Sequence, residues 1–311
     1  MAQVSMQLVK ELRDRTQAGL NDCRSALMES EGDMDKAVEI ILKKGLAKSA
    51  KRAGAVASEG EVADHVAADG SFGVLVEVNI QTDFAARNEE FKAFVQNVVK
   101  AAASARAGAE LGAEPYPAGG GTVEEARQAL VGKLGENITV RRWARLDATS
   151  PGLVHSYVHL GGKIGVLLAV KLGKAELAGS EALRKFVDDV AMQAAAMAPA
   201  FLHASEVPAD ESKKQADIFD AQLAEEGKPD AVRPKIIEGK LAKWKKEICL
   251  LEQQSVVETD KTVDQLRAEL AKSLGAEISI EQFVRFERGE GIEKPEGPDF
   301  AAEVAKMASS N

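Results

Sequence analysis

Cysteine is nearly missing: Cys23 and Cys249 are the only two in 311 residues. A disulfide framework is excluded, and such usage fits a reducing compartment, so a cytoplasmic location is expected. Histidine is as scarce, with only His65, His155, His159 and His203. His155 and His159 stand four apart on an expected strand and share a face, but no Cys/His cluster has zinc-ligand spacing. No metal or other cofactor is expected. Aromatic residues make up 5%, so alanine and aliphatic side chains must do most of the packing, which favours helices. Long apolar runs are absent. IGVLLAV at 164–170 is among the longest, far short of the roughly 20 residues that span a bilayer. The opening stretch, MAQVSMQLVKELRDR, lacks the apolar core of a secretory signal. No membrane association is expected.

Catalytic motifs are missing too. There is no P-loop, no dinucleotide-binding glycine pattern opening a helix and no G-x-S-x-G elbow. Carboxylates are plentiful but form no defined pair. This balance points to a binding protein rather than an enzyme. Asp plus Glu is 49 against 40 Lys plus Arg, a net charge of −9. That excess disfavours a dedicated binder of phosphate backbones, DNA included.

What is present is an apolar fraction of 45%, enough for more than one core at this length. The first segment reads as three short helices. Leu8, Val9 and Leu12 share a face, a turn follows at Gln17-Ala18-Gly19, and Asn21 or Asp22 can cap the second helix. That helix carries Cys23, Ala26 and Leu27 and stops at Gly32. Asp33 can cap the third, with Ala37, Val38, Ile41 and Leu42 apolar and Gly45 as its stop. A basic run, Lys43, Lys44, Lys48, Lys51 and Arg52, follows. It reads as a solvated helix end and linker, or alternatively as a nucleic-acid contact.

From Gly60 the period changes to that of strands. EVADHV and GVLVEVNI flank Asp69-Gly70, a hairpin signal. Asn88 can cap a helix whose apolar face is Phe91, Phe94, Val95, Val98, Val99 and Ala102. A Gly/Pro-rich loop (108–121) leads to a capping box at Thr122–Glu125, a helix ending near Gly135, and a strand over 138–146. The stretch 60–105 then recurs at 152–197 with a constant offset of 92. Gly60, Gly70 and Gly73 match Gly152, Gly162 and Gly165. Val74, Leu75 and Val78 match Val166, Leu167 and Val170, and Phe94, Val95 and Val98 match Phe186, Val187 and Val190. A strand–strand–helix unit is therefore duplicated, and helices on one side of antiparallel strands are expected. The repeat provides an internal control. Thr82-Asp83-Phe84 stands in copy one where copy two has Lys174-Ala175-Glu176. The fold needs no aromatic at this corner, so Phe84 is either free for function or tucked into a local pocket.

Beyond Pro199 the segment 208–252 is charged, with Ala216, Phe219, Leu223 and then Ile237, Leu241, Trp244, Ile248, Leu251 at helical spacing around Gly227-Lys228-Pro229. A projecting helical hairpin with a coiled-coil seam is expected, as a solvated arm or one used for partner binding or self-association. A helix over 262–274 with Leu266 and Leu270 inward, a strand over 278–286 and a turn-rich link (289–298) follow. The tail can show Phe300, Val304 and Met307 on one face of a helix. The fold class is α+β. The divisions are a three-helix module with linker (1–54), the first core half (55–148) and the second core half in two pieces (149–206 and 253–290). The hairpin (207–252) interrupts that second half, and a C-terminal helical module (291–311) ends the chain.

Two stretches carry a family likeness. LRDRTQAGLNDC (12–23) resembles the first signature of bacterial elongation factor Ts, and VEVNIQTDF (76–84) resembles its second. Further similarity runs through Gly135-Glu136-Asn137-Ile138, 157–166, 250–253 and 289–294. Gln17, Leu20, Ala85, Gln193 and the pair Gln254-Ser255 differ from the commoner residues of the family pattern. The resemblance implies a UBA-like N-terminal module and a guanine-nucleotide exchange factor for the GTPase elongation factor Tu, acting without catalytic residues of its own. It implies that Thr82, Asp83, Phe84 and Ala85 dislocate the partner's Mg²⁺, with Phe84 inserted into the GTPase. It also implies that Arg13, Gly19, Leu20, Asn21, Asp22, Leu134, Gly135 and His159 bind the partner. The alternative is an adaptor or chaperone-like scaffold, binding through the three-helix module and the arm, with Phe84 in the core.

Overall fold

The structure, a computed structural model, describes residues 4–16 and 18–293, with the backbone alone for Leu46 and Lys48. The Phe300–Met307 tail, most of the 291–311 module and Gln17 lie outside the described residues.

Helices α1 (Met6–Thr16), α2 (Leu20–Glu29) and α3 (Met34–Arg52) enclose a small core of Val9, Leu12, Cys23, Ala26, Leu27 and Ala37. The Asp33 carboxylate accepts from the Asp35 and Lys36 amides, the expected cap of α3. Three expectations here are corrected. The N-cap of α2 is Gly19, with no side-chain bond, rather than Asn21 or Asp22. Those two sit inside the first turn, where Asp22 still complements the helix dipole. Helix α3 does not stop at Gly45 but continues to Arg52, so the basic run is helical. Gly45 serves a close approach: a Cβ on Gly132 would lie 3.1 Å from the Gly45 Cα. Leu42, expected inward, is exposed.

Strands β1 (Glu59–Val66) and β2 (Phe72–Ile80) form the expected hairpin. One-turn helix α4 (Asp83–Ala86) leads into α5 (Glu89–Ser104), capped by Asn88. Helix α6 (Val123–Leu134) starts on the Thr122–Glu125 capping box and ends at Gly135 in the left-handed region. Strand β3 (Ile138–Asp147) pairs antiparallel with β2. Copy two follows with β4 (Gly152–His159), β5 (Ile164–Leu172) and α7 (Glu181–Met197).

The duplication runs further than its first 46 positions show. After the inserted arm, α10 (Val263–Leu274) and β6 (Ile278–Glu287) repeat α6 and β3 at an offset of 140. Thr262 with Gln265 repeats the capping box and Gly275 the left-handed stop. Arg267 donates to the Ile278 carbonyl as Arg127 donates to that of Ile138. Even the β-bulge recurs, at Glu77/Val78 and Ala169/Val170.

Each copy has helices on one side of its antiparallel sheet, as expected. The sheets' other faces pack on each other. Val74, Val76, Val78 and Ile80 meet α5 and α6 residues, and Val166, Leu168, Val170 and Leu172 meet α7 and α10. Between the sheets lie Val62, Leu75, Val154 and Leu167. Strands β2 and β5, covered on both faces, are near-continuous apolar runs for that reason. The stacking is reciprocal: Val62 N donates to Gly162 O, and Val154 N to Gly70 O, both at 2.8 Å. A Cβ on Gly73 would meet Val154 at 2.7 Å, and one on Gly165 would meet Val62 at 2.6 Å. Glycine at this pair lets the two sheets approach.

The inter-sheet layer holds one carboxylate with no exposed surface, Glu77. It accepts from Gly289 N (2.7 Å), Arg142 Nε (2.6 Å), Arg141 Nη1 (3.0 Å) and Asn79 Nδ2 (3.1 Å). Burial pushes its pKa up, but the four donors outweigh that and hold it below the ordinary carboxylate value. Glu77 thus ties the chain after β6 to the first sheet. Copy two has Ala169 at this position.

The arm is helix α8 (Ala209–Glu225) turning back into α9 (Arg233–Ile248). Leu223 is buried, with Phe219, Ile237, Leu241 and Trp244 half-buried, and Arg233 bonds Asp220 at 2.8 Å. Leu251, expected on the seam, lies past α9 and joins the second core. At the base, Ala200 N donates to Ile248 O and Leu250 N to Phe201 O, both at 2.9 Å.

Candidate partner-binding surface

The corner after β2 is built by local rules. Thr82 is extended and its hydroxyl accepts from Ala85 N, capping α4. Ala85 and Ala86 pack on the first core, while the side chain of Phe84, just before them, points outward. Phe84 is 80% exposed. Asp83 pairs with Arg87 at 3.1 Å one turn on. At the matching corner of copy two, the short helix over 175–179 instead buries Leu177, and Glu176 takes the place of Phe84. An aromatic ring this exposed, on a turn whose neighbours are anchored, is a surface feature rather than a core residue.

The corner is joined to the end of α6. Glu136 receives both Thr82 N (3.1 Å) and the Thr82 hydroxyl (2.7 Å). Asn137 N donates to Gln81 Oε1 at 2.7 Å. Leu134 is half-buried on the first core and Gly135 holds φ 74°. Residues 82–85 and 134–135 are therefore neighbours. Helix α3 crosses α6 at Gly132, which brings the N-terminal module beside the same helix end.

His159 ends β4, and its Nδ1 shares a 2.8 Å hydrogen bond with the Tyr157 hydroxyl. The next residues form a tip at which Leu160 is exposed and Gly162 meets Val62 near the start of β1. On the module, Arg13 and Asn21 are exposed and Leu20 is 44% exposed. Gly19 O accepts from Cys23 N, so that turn is held from within its own module. No group of three metal-ligating side chains occurs among the described residues. His155 instead faces Asp188 at 2.7 Å.

A sequence profile described as "Elongation factor TS" matches residues 81–290. Elongation factor Ts of Clostridium perfringens is 46% identical over 309 residues, covering 98% of this chain and 99% of the relative. That of Clostridium botulinum is 45% identical over 306 residues, with the same shares covered. That of Nitratiruptor is 46% identical over 304 residues, covering 97% and 98%. The chain belongs to the elongation factor Ts family.

In this elongation factor Ts family member, Gln81, Glu136 and Asn137 lie in segments that carry the family likeness but have no role implied by it, and they hold the corner rather than protrude from it. Their signal lies in the longer repeat. At the offset of 140, Glu136 aligns with Ala276 and Asn137 with Glu277, so copy two lacks the whole set. No described helix of this family member is long and apolar enough to cross a membrane.

Proposed function

We propose that the chain accelerates guanine-nucleotide exchange on elongation factor Tu by pressing the Thr82–Ala85 corner against the loops that hold Mg²⁺ and phosphate. The observation that carries this reading is the exposed ring of Phe84 on a turn whose flanks are fixed. Mg²⁺ demands near-ideal octahedral geometry, so a ring that displaces one coordinating loop weakens GDP binding strongly. Arg13, Gly19, Leu20, Asn21, Asp22, Leu134 and Gly135 grip the GTPase domain, and His159 with its tip holds another part of the partner. Coupling is reciprocal: nucleotide loosens the factor as the factor loosens nucleotide. Such a factor acts in the cytoplasm by binding alone, with no cofactor and no contact with DNA or membrane. The arm serves partner binding or self-association.

The test is release of fluorescent GDP from elongation factor Tu. Removing a buried aromatic anchor from an interface costs about 2–4 kcal/mol. Phe84→Ala should therefore slow stimulated release roughly 30- to 1000-fold, and Asp83→Ala less. Wild-type rates from both variants would overturn the wedge. The adaptor reading placed Phe84 in the core, and its exposure removes that support.

A further inference from the structure

We infer that Glu136 is the positioning residue of the exchange corner, bracing Thr82 so that α4 presents Phe84 in one orientation. This rests on the exchange reading above. A carboxylate is acceptor-only, so its two oxygens fix the roles of both Thr82 groups. The Thr82 amide donates to one oxygen at 3.1 Å, and the hydroxyl donates to the other at 2.7 Å. The hydroxyl's lone pair is then left facing Ala85 N, 3.2 Å away, as the helix cap. A relay runs from Glu136 through Thr82 to the first turn of α4. That helix is four residues long, too short to hold itself. The Asp83–Arg87 pair, from its first residue to its C-cap, is exposed and of little worth alone.

The neighbouring residue extends the brace. Asn137 N binds Gln81, and Asn137 Nδ2 donates to Ala55 O at 2.7 Å. Residues 136–137 follow Leu134 and Gly135 directly, so both proposed contact segments are held to one point of the fold. The second copy shows what the scaffold does without it. Ala276 replaces Glu136, Lys174 replaces Thr82 and Gly173 replaces Gln81. There the corner is closed by a backbone bond, Gly173 N to Glu277 O at 2.7 Å, and by burial of Leu177. The sandwich forms with alanine at this site, so the carboxylate serves the surface rather than the fold.

The experiment uses the full chain with Glu136→Ala, Glu136→Gln, Phe84→Ala and the double variant Glu136→Ala/Phe84→Ala. Amide hydrogen exchange at Thr82 and Ala85 is read in the free protein, and GDP release from elongation factor Tu is read with each variant. Losing a charge-assisted bond at a half-exposed site should speed amide exchange at both positions and slow GDP release roughly three- to tenfold. Glu136→Gln keeps one acceptor oxygen and should fall between. Because Glu136 acts through the α4 corner, adding Glu136→Ala to Phe84→Ala should slow GDP release by no more than the smaller effect of Asp83→Ala, well short of the two single effects multiplied. Multiplying effects in the double variant would mean that Glu136 touches the GTPase itself and would overturn the inference. Unchanged amide exchange in Glu136→Ala would overturn it as well. A wild-type rate from Phe84→Ala would refute the exchange reading instead, while the amide measurement would still decide whether the brace exists.

Discussion

Glu77→Gln isolates the buried charge cluster between the sheets. The substitution keeps the side chain's shape but replaces one acceptor oxygen with two N–H donors. These would face the donors of Arg141, Arg142, Asn79 and Gly289. Breaking a buried ion pair by removing one partner costs about 3–5 kcal/mol. Here Arg141 and Arg142 keep 26% and 30% of their side-chain surface, so both can recover water and the cost falls to about 2–3 kcal/mol. In calorimetry that loss lowers the melting temperature by on the order of 3–5 °C. The pH dependence has a definite sign. The folded-state pKa of Glu77 is depressed, so its stabilisation is fully present above the unfolded value, 4.5. It is lost as pH falls through the lower folded value. The deficit of Glu77→Gln should be full at pH 7 and shrink below about pH 4.5, as the wild-type carboxyl also takes up a proton. A melting temperature within about 1 °C of wild type at pH 7, or a deficit that does not shrink in acid, would refute the cluster as the tie between the halves.

Two further outcomes follow from the packing. Burial raises the pKa of both thiols, that of Cys249 to about 11 with Glu252 adding to the effect. At pH 8 only about one Cys249 in a thousand is thiolate. A thiol reagent should therefore label neither cysteine in the folded protein and both in urea, and prompt native labelling would contradict the buried placement. Gly132→Val places side-chain atoms where Gly45 now sits 3.1 Å from an ideal Cβ, an overpacking cost of about 1–3 kcal/mol. Trypsin cleavage at Lys51 and Arg52 should accelerate as α3 lifts from α6. An unchanged cleavage rate would show that this crossing does not hold the module.

Much of the architecture could be read because it rests on local chemistry. Asn88, Asp33 and the Thr122–Glu125 box cap helices through bonds spanning at most three residues. The Asp69-Gly70 hairpin and the apolar face of α5 are equally local. The duplication showed that Phe84 is not a fold requirement. What escaped was set by tertiary contact. Gly45 looks like a helix stop until Gly132, 87 positions away, comes against it. The second part of the repeat was hidden because the arm shifts its offset from 92 to 140. Glu136 and Glu77 have no periodicity to betray them. Their partners come from 54 and up to 212 residues away, and only the fold brings these together.

The base of the arm has a consequence for how such chains can vary. Its two strands of backbone are stitched across Ala200–Ile248 and Phe201–Leu250, so whatever lies between enters and leaves through one narrow gate. Lengthening a loop whose ends are already clamped adds little closure entropy. The antenna can therefore be shortened, extended or exchanged for another while the doubled body beneath keeps its registration, leaving reach as a trait that can change independently of grip.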